Sequence, residues 1–234
     1  MATQGTLFGV GVGPGDPKLM TIKAGEVIRT ADILAYPVNS AGESQARSIA
    51  YPIFEDSSTE LPLHIPMNVE RDPAREAYDS AANQISTFLM TGKDVAYLCI
   101  GDPMFYGSFM YLAARLGVSH KVEVIPGVTS LSACAAQTRM PLAGRTDVLS
   151  VIPATLDEPE LESALKHTDT AVVIKVGRHM KKVRDTLRKL GLSDSAIVVE
   201  NGSGAGERIT LVEQVTDDTK PYFSTILVSR RDVT

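Results

Sequence analysis

Phe8-Gly9-Val10-Gly11-Val12-Gly13-Pro14-Gly15-Asp16-Pro17 is the stretch that decides the fold class. Leu7, Phe8, Val10 and Val12 make a short apolar strand that runs straight into a loop carrying Gly11, Gly13 and Gly15. Glycine has no Cβ, so such a loop can pass through positive φ and bring its backbone amides against a ligand. Beyond it, Ala24, Val27, Ile28 and Ala31 recur at the i, i+3, i+4, i+7 spacing of a helix. A glycine loop between a first strand and its helix points to a ligand at the carboxyl edge of a parallel sheet. A tight turn with a purely structural purpose is the competing reading.

Spacing excludes the two commonest nucleotide loops. A dinucleotide fingerprint needs glycines at its first, third and sixth positions. Counting from Gly9 the sixth residue is Pro14, and counting from Gly11 it is Asp16. A phosphate loop ends in Gly-Lys-Ser/Thr, whereas Gly92-Lys93 is followed by Asp94 and has Thr87 where the first glycine belongs. Asp16 would also repel a phosphate. The loop suits a ligand that is neutral or cationic where it meets the chain.

Working outward, Ile33 to Tyr36 read as a short strand ended by Pro37, and Leu61 to Met67 as a proline-punctuated connection. Ala74, Ala77, Tyr78, Ala81, Ile85, Phe88 and Leu89 share one face of a long helix closed by Gly92. Val95 to Ile100 is a nearly continuous apolar run, as a parallel strand covered on both faces requires. It stops at a second glycine turn, Gly101-Asp102-Pro103. A helix over Ser108 to Leu116 and a buried strand over Val122 to Ile125 lead to a third turn, Pro126-Gly127-Val128-Thr129-Ser130. In a parallel sheet these three turns share one edge, where open α/β sheets bind ligands.

The second half alternates helices with strands at Val148 to Ile152, Ala171 to Val176, Ala196 to Val199, Arg208 to Val212 and Thr225 to Val228. The last strands lack good intervening helices, which predicts a mixed sheet with antiparallel members. The expected architecture is α/β in two domains: 1–126 with a mostly parallel sheet, and 127–234 with a mixed one. Lys181, Lys182, Arg184, Arg188 and Lys189 read as the solvated face of a helix.

The 234 residues are 44% hydrophobic and 22% charged, ordinary for a globular protein, with a net charge of −5 that argues against a nucleic-acid partner. Cys99 and Cys134 read as buried thiols of a reducing compartment, and the four histidines form no ligand cluster. No apolar run has transmembrane length and no leader precedes the first strand, so a metal-free cytoplasmic protein is expected.

Four motifs resemble the tetrapyrrole methylases, the class III S-adenosylmethionine-dependent methyltransferases. They are Gly11-Val12-Gly13-Pro14-Gly15-Asp16-Pro17, Gly101-Asp102-Pro103, Ile125-Pro126-Gly127-Val128-Thr129-Ser130 and Glu200-Asn201-Gly202, in the family's order. The resemblance implies a homodimer of two-domain chains with S-adenosylmethionine held in the cleft between the domains. Gly42-Glu43-Ser44-Gln45-Ala46, Pro66-Met67, Gly101 to Tyr106 and Lys175-Val176-Gly177-Arg178 resemble the branch that methylates C-20 of precorrin-2, or cobalt-factor II, in cobalamin biosynthesis. The resemblance also implies the cofactor contacts. Pro14 borders the cofactor, and Ile100, Gly101, Asp102 and Phe105 line its methionine and ribose. Thr129 and Ser130 meet the sugar or the methionine end. Val176, Gly202, Ser224 and Thr225 pack around the adenine, largely through backbone.

A sulfonium and an ammonium suit a loop that phosphate does not, and Asp102 is either a partner for that ammonium or a turn residue before Pro103. The implied substrate is a polycarboxylate, so cations must act locally. Arg145 and Arg178 are the candidate clamps, with Arg139 and Lys175 near the same turns. Glu43, Asp102 and Tyr106 are open candidates for removing a proton, and none is singled out. Competing functions are methylation of another corrin position or of uroporphyrinogen, and a non-catalytic nucleotide-binding regulatory module.

Overall fold

The structure, a computed structural model, describes residues 4–53, 59–65 and 71–230, with the side chains of 71–74 excepted. The Pro66-Met67 pair therefore lies outside the described residues. The chain divides into two units, Met1–Thr129 and Ser130–Thr234. A division at 126/127 would cut the third glycine turn, whose Gly127 N–H is bonded to Asp102 of the first unit.

In the first unit, β1 (Thr6–Gly11), α1 (Ile22–Thr30), β2 (Ile33–Val38), α2 (Gln45–Ala50), β3 (Thr59–His64), α3 (Arg71–Met90), β4 (Val95–Cys99), α4 (Phe109–Leu116) and β5 (Lys121–Ile125) follow in sequence. The five strands pair in the order β3-β2-β4-β1-β5, each neighbour parallel. Period-two alternation sorts the central strand between two cores. Val95, Tyr97 and Cys99 meet α3 and α4 through Ile85, Leu89, Phe109 and Leu112. Ala96 and Leu98 meet α1 and α2 through Ala24, Ile28, Ala46 and Ile49. With both faces covered, the carboxyl edge of the sheet is where its loops can act.

Three expectations needed revision here. Residues 59–64 form a strand rather than a connection. Pro62 is tolerated because β3 is an edge strand, where a missing N–H costs no ladder bond. Pro37 likewise does not end β2, since β2 pairs with β4 only over Ile33 to Ala35 and beyond that point its second side is open. β5 is not buried: it is the other edge, and Val124 is exposed.

The second unit contains α5 (Ser130–Thr138), β6 (Leu149–Pro153), α6 (Glu158–Lys166), β7 (Thr170–Ile174), α7 (Met180–Lys189), β8 (Ala196–Glu200), β9 (Arg208–Leu211) and β10 (Ser224–Ser229). Its sheet order is β6-β7-β10-β8-β9, with β6 and β7 parallel and the remaining neighbours antiparallel, the mixed sheet expected. One face is covered by α6 and α7, the other by α5. Asp157 and Glu160 close a reciprocal capping box at the start of α6.

Arg184 does not belong to the solvated face of α7. It is 9% exposed and donates to the carbonyls of Val215 and Asp217 at 3.1 and 2.9 Å and to Asp218 Oδ1 at 2.6 Å. Its guanidinium satisfies a loop distant in sequence, which helical periodicity does not reveal.

Candidate active site

The three glycine turns of the first unit touch one another. The Gly101 N–H donates to the Gly13 carbonyl at 2.8 Å, and the Val12 N–H to the Cys99 carbonyl at 2.9 Å. Gly11 and Gly127 pack backbone to backbone. A Cβ on Gly127 would fall 2.1 Å from the Gly101 carbonyl oxygen, and one on Gly11 would fall 2.7 Å from the Gly127 Cα. These positions are glycine because three chain segments occupy the space a side chain would need.

Asp102 fastens two of the turns. Its Oδ1 accepts the Met104 N–H at 2.8 Å, and its Oδ2 accepts the Gly127 N–H at 3.0 Å. Asp16 Oδ1 accepts the Lys18 N–H at 2.9 Å and caps the short 3-10 turn Pro17–Leu19. Residues 12–16, 100–106 and 126–129 contain no lysine or arginine but do contain Asp16 and Asp102. The cluster is thus acidic, which fits a cationic donor and disfavours phosphate. Next to it Met104, Phe105 and Tyr106 are exposed, with the two rings edge to face at 5.2 Å. Tyr106 has φ 54, a left-handed conformation that costs energy in a non-glycine residue and often marks a functional turn. Pro14, Ile100, Gly101, Asp102, Phe105 and Thr129 all belong to this cluster of turns, and Ser130 opens α5.

In the second unit Val176, Gly202, Ser224 and Thr225 are also gathered. β10 runs against β7 and β8, so its first residues lie beside the carboxyl ends of both. Ser224 is paired with Glu200, and the Asn201 N–H donates to the Phe223 carbonyl at 2.8 Å. The Val176 side chain is fully buried in the core and its carbonyl accepts the His179 N–H. Gly202 packs on α5, where a Cβ would sit 2.8 Å from Cys134 Sγ. Thr225 is buried, and burial pushes the pKa of the Cys134 thiol up to about 11. Ser224 Oγ donates to the Pro221 carbonyl at 2.8 Å.

The two arginines are not gathered with each other. Arg145 leads into the amino end of β6, whereas Arg178 follows the carboxyl end of the adjoining, parallel β7. Both are exposed, and Arg145 has φ 41. Among the described residues no group of three or more His, Cys, Asp or Glu side chains is placed to hold a metal ion. No described helix is long and apolar enough to cross a membrane.

Residues 6–215 match the model of the tetrapyrrole (corrin/porphyrin) methylases. The chain belongs to this family. It is therefore an S-adenosylmethionine-dependent methyltransferase by descent. Its relatives include a precorrin-2 C(20)-methyltransferase from Sinorhizobium sp, 40% identical over 96% of this chain and 95% of the relative. A cobalt-precorrin-2 C(20)-methyltransferase from Salmonella typhimurium is 32% identical over 97% and 98% of the two chains. Among solved structures, the uroporphyrin-III C-methyltransferase of Thermus thermophilus, complexed with S-adenosyl homocysteine, superposes with a TM-score of 0.69. It shares 22% identity over 96% of this chain and 92% of that one, a likeness of fold.

Two features of this tetrapyrrole methylase escaped sequence reasoning. Asp102 reaches across to Gly127, and Glu200 meets a buried Lys220 at 3.0 Å. The motif spacing brings attention to Asp102, Gly127 and Glu200 individually; nothing in the sequence pairs them.

Proposed function

We propose that this methylase transfers a methyl group from S-adenosylmethionine to C-20 of precorrin-2 or of cobalt-factor II in cobalamin biosynthesis, working as a cytoplasmic homodimer. The observation that carries the substrate is the end-to-end match to relatives named for C-20 methylation, which covers 95% or more of both partners in each case. The acidic cluster of glycine turns supports the donor. We assign donor binding to Pro14, Ile100, Gly101, Asp102, Phe105, Thr129 and Ser130, and to Val176, Gly202, Ser224 and Thr225. Arg145 and Arg178 are assigned to the substrate carboxylates.

When bound, the donor supplies an electrophilic methyl on a sulfonium. The chain's task is to hold that methyl in line with an electron-rich meso carbon of the reduced macrocycle. Orientation of this kind is worth up to roughly 7–11 kcal/mol. The prefastened turns serve it, because backbone that is already fixed loses little freedom on binding. Asp102 keeps a second lone pair on each oxygen after accepting its two backbone N–H groups, so turn clamp and ammonium partner are compatible roles.

The test is incubation with 13C-methyl donor and each of the two macrocycles, metal-free and cobalt-bearing, followed by NMR of the product. Label at C-20 is the expected result, and the faster macrocycle identifies the natural acceptor. Label at any other carbon overturns the assignment. Sedimentation equilibrium checks the dimer.

A further inference from the structure

Three strand ends of the second unit carry the assigned donor contacts Val176, Gly202, Ser224 and Thr225, and Lys220 joins all three. Its N–H donates to the Gly177 carbonyl at 2.9 Å, just after β7. Its Nζ lies 3.0 Å from Glu200 Oε1 at the end of β8, and 3.3 Å from Asp217 Oδ2. It also stands in the segment that leads into β10. The ammonium is enclosed: the Lys220 side chain is 6% exposed and that of Glu200 10%. The Lys220–Glu200 contact is off the line of a good hydrogen bond, so what acts between them is charge. Burial pulls the Lys220 pKa down, but Glu200 and Asp217 outweigh it and hold the group above the ordinary lysine value.

The turns on either side are held in costly backbone conformations. Lys175 has φ 57, Asn201 φ 49 and Ser203 φ 62, all left-handed and none of them glycine. Such conformations persist where the surroundings over-determine them. Arg184 fixes the stem of the same segment through Val215, Asp217 and Asp218, which makes Lys220 its inner anchor. A buried ion pair is a weak source of stability compared with apolar residues of the same volume. Its placement between strained turns points to a different use.

We propose that Lys220, acting through Glu200, is a positioning residue that sets the turns after β7 and β8 in register for the methyl donor. This rests on the donor assignment made above. Lys220 does not touch the reacting atoms; it fixes the backbone that the adenine end of the donor meets. Losing it therefore weakens donor binding more than it slows turnover at saturation.

The test compares the parent with Lys220→Met, with Glu200→Gln and with the double variant, which avoids leaving one buried charge alone. S-Adenosylhomocysteine affinity is measured by calorimetry, donor KM and kcat by kinetics, and exchange at 175–178 and 200–204 by hydrogen–deuterium mass spectrometry. In the folded double variant, affinity is expected to fall about tenfold or more, and KM to rise with it. Turnover at saturating donor should change by less than about threefold, and exchange at both turns should quicken. Lys220→Arg, which keeps the charge, should recover part of the affinity. A folded double variant that binds within about twofold of the parent overturns the positioning role alone. A parent that binds no S-adenosylhomocysteine overturns the donor assignment and this inference with it.

Discussion

The Asp102 carboxylate accepts the backbone N–H of Gly127 at 3.0 Å, a contact that spans 25 residues of chain. It joins the turn after β4 to the turn after β5, while the other oxygen closes the Asp102 turn on itself through Met104. Hydrogen bonds to an ionised acceptor are the stronger kind, worth about 1.5–3 kcal/mol each. One acidic side chain thereby supplies both the rigidity and part of the negative potential of the proposed donor site.

Asp102→Asn should damage both properties at once. The amide presents one oxygen where the carboxylate presents two, so one of the two backbone N–H groups loses its acceptor. The expected cost is about 1–3 kcal/mol in stability, together with a loss of about tenfold in S-adenosylhomocysteine affinity. Thermal melts and calorimetry measure the two separately. A variant unchanged in both would show that neither the clamp nor the charge matters.

Gly127→Ala should be far more damaging than its chemistry suggests. The new Cβ would meet the Gly101 carbonyl oxygen at 2.1 Å and the Gly11 Cα at 2.9 Å, and backbone cannot step aside as a side chain can. We expect a loss of at least ~3 kcal/mol. Gly42→Ala is the control: Gly42 has φ +80 but nothing within 4 Å of the added carbon, so only the backbone penalty of about 1–2 kcal/mol applies. Urea unfolding followed by circular dichroism ranks the two, and equal midpoints would refute the packing argument.

What the sequence disclosed and withheld follows from the range of the interactions. The run Val95 to Cys99 announces a covered central strand because a parallel strand buries both faces. The glycine turns announce themselves through local residue types. Pro62 misled because its tolerance depends on β3 lying at an edge, which is a property of the whole sheet. Arg184 looked solvated because its partners, Val215 to Asp218, are remote in sequence. The Lys220–Glu200 pair is hidden for the same reason: charge pairing between a loop and the end of a strand leaves no spacing rule. The site's glycines were legible, whereas the side chains that hold them in place were not.

The two cysteines should be silent in the native protein. Cys99 and Cys134 are both buried, and burial raises both thiols, Cys134 to about 11. Only the thiolate attacks a disulfide reagent. Titration with such a reagent at pH 8 should label native protein at least ~100-fold more slowly than protein in denaturant. Rapid labelling of either thiol in the folded state would contradict the burial assigned to it.

Glu162 gives a stability signature that depends on acidity. Lys166 Nζ lies 2.6 Å from its Oε1, and Lys189 Nζ of α7 lies 2.7 Å from its Oε2, so the carboxylate bridges α6 and α7. The hydrogen bond from Lys166, followed by that from Lys189, lowers its pKa from 4.5 to about 2. A depressed folded-state pKa means that the unfolded chain binds the proton more readily, so the contribution is full above the ordinary glutamate value. It should be lost as pH falls from 4.5 to about 2. Glu162→Gln is therefore expected to be less stable than the parent at neutral pH and to match it near the acid end of that window. Because the pair is close to solvent, the neutral-pH gap should also shrink in about 1 M salt, where screening reaches ~3 Å. Urea midpoints for parent and variant across the pH series measure the gap. A gap that survives acid unchanged would mean that the charge on Glu162 is not its source.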